Sequence, residues 1–138
     1  MRKLVLLLGV AVLALAGVAY AASGPVMIGT TLTAAADHAT ASHGKGTFTG
    51  DITGRKLKFT LKFSGLTGPA SAAHIHMGAK GVSGPVVVPL CGPCKSPLSK
   101  TVSLSASVIS AIKKGKAYVN VHTAKYPAGE IRGQLATH

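Results

Sequence analysis

Two histidines separated by one residue, His74 and His76, stand in the run Ala73-His74-Ile75-His76-Met77. A third, His122, ends the run Tyr118-Val119-Asn120-Val121-His122. Neutral imidazole is a favoured ligand for copper and zinc. An i, i+2 pair on a strand puts both rings on one face, where both can reach a single ion. The same alternation in 118–122 places Tyr118, Asn120 and His122 together and leaves Val119 and Val121 for the opposite face. In the closing run, Glu130, Arg132 and Gln134 lie opposite Ile131 and Leu135. If these three segments are neighbours in one sheet, His74, His76, Asn120, His122, Glu130 and Arg132 make one outward patch. As a metal centre it would use His74, His76 and His122 for copper first and zinc second, with Asn120, Glu130 and Arg132 behind them. A structural polar cluster, in which Glu130 pairs with Arg132 or a histidine and Asn120 satisfies backbone groups, is the competing reading.

The second constellation is Cys91-Gly92-Pro93-Cys94. The tetrapeptide has the spacing of a thioredoxin-type redox motif, but that chemistry needs the first thiol at a helix N-terminus in a βαβ frame. Here Val86-Val87-Val88-Pro89-Leu90 precedes it and Lys95-Ser96-Pro97 follows, with no such frame. A local Cys91–Cys94 disulfide in an oxidising compartment fits better. Reduced thiols completing a zinc or Cu(I) site are the minority alternative.

Composition removes other chemistries. Of 138 residues, 15 are Lys or Arg and only 3 are Asp or Glu, a formal net charge of +12. Asp37, Asp51 and Glu130 are too few for an oxygen-rich Mg²⁺ or Ca²⁺ cage or for paired-carboxylate glycosidase work. No Gly-x-Ser-x-Gly elbow occurs, so nothing points to a nucleophilic hydrolase. The basic excess suits an anionic partner such as envelope polymers or lipid headgroups. Lys56, Lys58 and Lys62 form one stripe, and Lys113, Lys114 and Lys116 another. A merely solvated, soluble surface is the preferred reading of these lysines. Few aromatics remain for base stacking, so nucleic acid is a poor candidate.

The first residues read as an address. Met1-Arg2-Lys3 is positive, Leu4 to Val18 is apolar, and Ala19-Tyr20-Ala21 offers a small-x-small cleavage site. This is the layout of a signal peptide at 1–21, and the apolar run is short for a membrane anchor. A retained anchor is the alternative. Cleavage would leave residues 22–138 as a secreted, periplasmic or cell-envelope domain, with no other run able to span a bilayer.

These residues must be positioned by strands. Lys56 to Phe63 alternates throughout, with Leu57, Phe59, Leu61 and Phe63 against Lys56, Lys58, Thr60 and Lys62. Val26 to Leu32, Thr47 to Gly50, Ala73 to Met77, Pro85 to Leu90, Ala117 to His122 and Glu130 to Leu135 read as further strands, the last two joined by a Pro127-Ala128-Gly129 turn. Ser105 to Lys114 breaks the pattern: Val108, Ile109 and Ile112 have helical spacing, a serine can cap the start, and Gly115 can close it. Residues 34–46 are the most loop-like stretch. About seven strands and one short helix predict an all-β, Ig-like or Greek-key sandwich or barrel.

Four segments carry a family resemblance. They are Ala73-His74-Ile75-His76-Met77-Gly78, Gly81-Val82-Ser83-Gly84-Pro85-Val86-Val87, Tyr118-Val119-Asn120-Val121-His122-Thr123, and Pro127-Ala128-Gly129-Glu130-Ile131-Arg132-Gly133-Gln134-Leu135. Together they resemble the CHRD (chordin) domain, and the resemblance extends over nearly all of 22–138. It implies an extracellular or envelope β-sandwich somewhat similar to the Cu,Zn superoxide dismutase barrel, acting as a binding or structural module. It carries no defined enzymatic activity. The strong basicity and the Cys91–Cys94 insertion depart from the usual pattern, as does Asp37-His38, where members often have an acidic residue before Val-Pro.

Overall fold

The computed structural model describes residues 24–138; the leader read at 1–21 lies outside them. The strands are β1 (Val26–Thr33), β2 (Lys45–Thr53), β3 (Lys56–Ser64), β4 (Ala70–Met77), β5 (Val86–Cys91), β6 (Leu98–Ser103), β7 (Ala117–Thr123), β8 (Ile131–Gln134) and β9 (Ala136–Thr137). One helix, α1 (Ala106–Lys113), lies between β6 and β7. All pairings are antiparallel, in the order β5-β4-β7-β8-β1-β2-β3-β6, with β9 also on β1. The two end strands, β5 and β6, are consecutive in sequence, so the chain passes directly from one edge of a nearly closed barrel to the other. The Cys91–Cys94 disulfide sits in that connection.

The all-β architecture with one short helix is the one expected from the alternation. Inward residues build a single core: Ile28 and Leu32 from β1, Phe48 and Ile52 from β2, Leu57, Phe59 and Leu61 from β3, Ile75 from β4, Val119 and Val121 from β7. Phe48 and Phe59 stack at 5.3 Å between centroids. Each such side chain contributes about 1.5–3 kcal/mol by leaving water. Helix α1 closes one part of the core with Val108, Ala111 and Ile112. Ser105 Oγ accepts from Val108 N at 3.2 Å as its N-cap, and Gly115 follows the helix at φ +64°.

Two strands escape the sequence reading. Strand β6, Leu98-Ser99-Lys100-Thr101-Val102-Ser103, is polar because it is an edge with little to bury. Lys100 registers with the buried Phe59, a charge on the inward side that blunts edge-to-edge pairing. Strand β9 has only two residues. The segment 34–46 is also more structured than its composition suggests. A 3₁₀ turn at Ala35–Asp37 starts it, Ala39 N donates to Ala34 O at 3.0 Å, and Ala39 is buried.

Candidate metal centre

Strands β4, β7 and β8 are consecutive in the sheet, so the three polar segments do become neighbours. The register sets His76 beside Tyr118 and Tyr118 beside Gln134; one step along, His74 lies beside Asn120 and Asn120 beside Arg132. His122 registers with Ala72, diagonal to His74. One ring nitrogen from each of His74, His76 and His122 lies within 4.8 Å of the others. Ring centroids are 4.9 Å apart for His74 and His122, 5.7 Å for His74 and His76, and 5.8 Å for His76 and His122.

The patch is not the outward surface its alternation suggests. His76 and His122 are each 8% exposed, Asn120 2% and Arg132 5%; only His74 is half-buried. Loops fold over this side of the sheet. The connection 78–84 is held down by four side chains of the patch. His76 Nδ1 bonds Gly84 O (2.9 Å), Tyr118 OH accepts from Gly84 N (3.1 Å), Arg132 Nη2 donates to Ala79 O (3.1 Å) and Val82 O (2.9 Å), and Gln134 Nε2 donates to Gly78 O (2.8 Å). Glycine is required at 84, where a Cβ would run into the Met77 carbonyl.

These bonds fix the imidazole tautomers. A carbonyl oxygen only accepts, so His76 Nδ1 and His122 Nδ1 must carry protons toward Gly84 O and Pro127 O, the latter at 3.0 Å. Each neutral ring then presents its Nε2 lone pair to the cluster. His122 Nε2 meets His74 Nδ1 at 3.1 Å, while His76 Nε2 is buried with no hydrogen-bond partner. An unpartnered, buried lone pair on a ring of this cluster is the donor a cation needs. For His74 Nδ1 to ligate as well, its proton must sit on Nε2, which a half-buried ring permits. Burial, reinforced by the neighbouring imidazoles His122 and His76, holds His74 below its ordinary pKa of 6.5. Burial does the same for His122, outweighing the upward pull of the Pro127 carbonyl and Asp37. Both rings are thus neutral, the form that binds metal, near pH 7.

The other candidates have separate destinations. Asn120 Nδ2 donates to Ala128 O at 3.2 Å. The Arg132 guanidinium lies 3.3 Å from the centroid of the Tyr118 ring, and that ring stacks on His76 at 4.9 Å and 11°. Arg132, Tyr118 and His76 therefore form a continuous stack across three strands that braces one member of the cluster. Glu130 bonds neither a histidine nor Arg132. It is fully buried, and its carboxylate accepts from Ser42 Oγ (2.6 Å), Thr67 N (2.8 Å), Thr67 Oγ1 (2.8 Å) and Thr123 Oγ1 (2.5 Å). Burial alone would raise its pKa, but these donors outweigh it and hold the carboxyl below the ordinary 4.5. Its work is to tie the 34–46 and 64–70 segments to β7.

The acid beside the patch is instead Asp37, which the spacing of motifs gave no reason to choose. An added Cβ at Gly129, where φ is +136°, would run into both Asp37 Oδ2 and the Asn120 amide, so the three are packed together. Burial raises the Asp37 pKa above 3.8 against the opposing pull of Arg132, His122, Asn120 and His38. Its local helical turn, not any strand, carries it there. Cys91 and Cys94 form the expected disulfide, and both are therefore unavailable as thiolate ligands.

The family model of the CHRD domain matches residues 22–135. The chain belongs to the CHRD domain family. Neither the comparison with curated proteins nor that with solved structures returns a match. CHRD membership and the all-β barrel agree with a binding or structural module, and the disulfide agrees with the extracellular setting of CHRD domains. Among the described residues, no helix is long and apolar enough to cross a membrane.

Proposed function

We propose that this chain is a secreted or cell-envelope CHRD module that binds a transition-metal ion, copper in preference to zinc, through His74, His76 and His122. The observations that carry this reading are the convergence of one ring nitrogen from each histidine within 4.8 Å and, on one of these rings, the buried, unpartnered His76 Nε2. Ligand nitrogens about 2.0–2.1 Å from one ion are about 3–4 Å from each other, so a small inward turn of the rings completes the geometry. Softness and geometry favour the choice of metal: three neutral imidazoles with no carboxylate or carbonyl oxygen among them suit copper or zinc and not magnesium or calcium. The carbonyls of Gly84 and Pro127 orient His76 and His122, as outer partners orient metal-bound imidazoles elsewhere. The leader at 1–21 and the disulfide support export to an oxidising compartment. The competing reading, a purely structural polar cluster, leaves the His76 lone pair unexplained.

The test is titration of purified, metal-stripped protein with Cu²⁺ and Zn²⁺, read by equilibrium dialysis with elemental analysis. One ion per chain at micromolar concentration or below is expected, with at least a ~100-fold loss of affinity in His76→Ala, since one of three ligands disappears. No uptake of either ion at micromolar levels, or unchanged uptake in His76→Ala, sinks the reading.

A further inference from the structure

We infer that the outer face of β1, β2 and β3, on a different part of the barrel from the histidines, is a docking surface for a linear polysaccharide bearing carboxylate groups. Two rows of exposed side chains cross this face: Thr31, Thr47 and Lys62 in one, Thr33, Lys45 and Ser64 in the next. Between Lys45 and Lys62 lies an open groove of about 410 Å³, edged by Thr31, Thr47 and Ser64. Lys58 and Lys56 continue the line of ammonium groups along β3. Residues four apart on a strand are about 13 Å apart, so Lys58 and Lys62 span roughly the length of a few sugar rings.

The charge here is nearly uncompensated. Of the chain's three acids, Glu130 is buried in its own hydrogen-bond network and Asp37 lies beside Asn120 and Gly129. Only Asp51, opposite Lys58, belongs to this face. A positive, water-facing groove concentrates a polyanion near it.

The rest of the face selects among polyanions. Phe48 and Phe59 point into the core and Phe63, which borders the groove, is half-buried, leaving at most one ring where a run of nucleobases would need several to stack on. The cations are lysines on the outer wall of the barrel, with no helix or protruding ribbon to enter a DNA groove. Met27 is the one large hydrophobe exposed on these strands, too little apolar surface to sit in a bilayer. What remains is rows of threonine and serine hydroxyls beside ammonium groups, donors and acceptors matched to sugar hydroxyls with carboxylates at intervals.

The experiment measures binding of the full protein to polygalacturonate, a DNA duplex and phosphatidylglycerol vesicles at low and physiological salt. Polygalacturonate should bind most tightly of the three, and its binding should weaken with salt. The double variant Lys45→Gln/Lys62→Gln should weaken it by roughly fivefold or more, and Lys113→Gln/Lys114→Gln by less than about twofold, because only the first pair lines the groove. All four lysines are exposed, so the variants fold, which an unchanged circular dichroism spectrum verifies. Equal losses for the two pairs, tighter binding to DNA or to vesicles, or no binding at low salt would each overturn the inference. Copper and zinc uptake is unaffected by either variant, so this result and that of the metal site are read separately.

Discussion

Strands β3 and β7 are written in the same code and end in opposite circumstances. Each alternates apolar and polar residues. In β3 the polar set, Lys56, Lys58 and Lys62, is exposed, whereas in β7 every residue from Ala117 to Thr123 is buried. The difference lies in what each sheet face must carry. Beside β3 run β2 and β6, whose outward residues are mostly threonine, serine and lysine and need only water. Beside β7 run β4 and β8, whose outward residues are His74, His76, Arg132 and Gln134. Each can grip a backbone carbonyl or another ring, and three of them hold the 78–84 connection over the strand. A buried polar group must be hydrogen-bonded or is destabilising. The second face of β7 meets that demand almost everywhere. The exceptions at its centre, His76 Nε2, Asn120 Oδ1 and Asp37 Oδ2, are buried atoms with no hydrogen-bond partner.

The contrast is broken most strongly at Glu130. Replacing it with alanine takes the acceptor away from the hydroxyls of Ser42, Thr67 and Thr123 and from the amide of Thr67, and of these residues Ser42 and Thr123 are buried. Hydrogen bonds to a charged group contribute about 1.5–3 kcal/mol each and are not additive, so a total loss of about 3–5 kcal/mol is expected in urea unfolding. A loss below about 1 kcal/mol would mean that the network closes over the gap. Next is Gly84→Ala. Its new Cβ meets the Met77 carbonyl, so the loop must shift and take the Gly84 oxygen away from His76. Copper affinity should fall by about 10–100-fold, as when an outer partner of a metal-bound imidazole is lost. Retained affinity in a folded Gly84→Ala protein would show that the loop does not orient His76.

Acid separates the two regions by a smaller amount. His74 and His122 have folded pKa values below the ordinary 6.5, so the stability they contribute is complete above that pH and is lost as pH falls through their lowered values. Glu130 acts likewise below 4.5. Asp37 has the opposite sign: its raised value favours the fold below 3.8 and that contribution is lost as pH rises through it. The metal-free protein should therefore begin to lose stability between neutral pH and pH 5 because of the histidines, and metal uptake should weaken over the same range as protons compete for the rings. Flat stability and flat uptake from pH 7.5 to 5 would show that neither imidazole changes charge there.

The sequence made β3 and β7 legible for the same reason and concealed their difference for one reason also. Period-two alternation located the strands, placed Val119 and Val121 in the core, and put His74, His76 and His122 on one face, because side-chain direction is a local property. The short Pro127-Ala128-Gly129 turn made β7 and β8 neighbours. What covers a face is not local. The partners of Arg132 lie 50 and 53 residues away and those of Glu130 up to 88, and no periodicity connects them. Alternation puts Glu130 in the patch, yet it serves the loops, while Asp37 reaches the patch through a turn that alternation does not describe. Strand β6 was illegible because an edge buries too little to leave a pattern.

The smallest effect sharpens the comparison from the other side. Lys58 is exposed in the middle of β3 and lies opposite Asp51 and Thr101. An exposed lysine and a half-buried aspartate at the edge of water attract weakly, because water screens the ammonium and ordering two side chains opposes the gain. Lys58→Thr puts a β-branched residue on the strand and removes one of many like charges. Its unfolding free energy should change by no more than about 0.5 kcal/mol in either direction. Asn120→Thr makes a similar polar exchange on β7 but removes the amide that bonds Ala128 O and packs on Gly129 beside Asp37. It should cost about 1–3 kcal/mol, because a hydrogen bond anchored in a buried side chain is lost and its packing with Gly129 goes with it. Equal effects at the two positions would mean that the loops over β7 open freely to water, and that its second face is a surface after all.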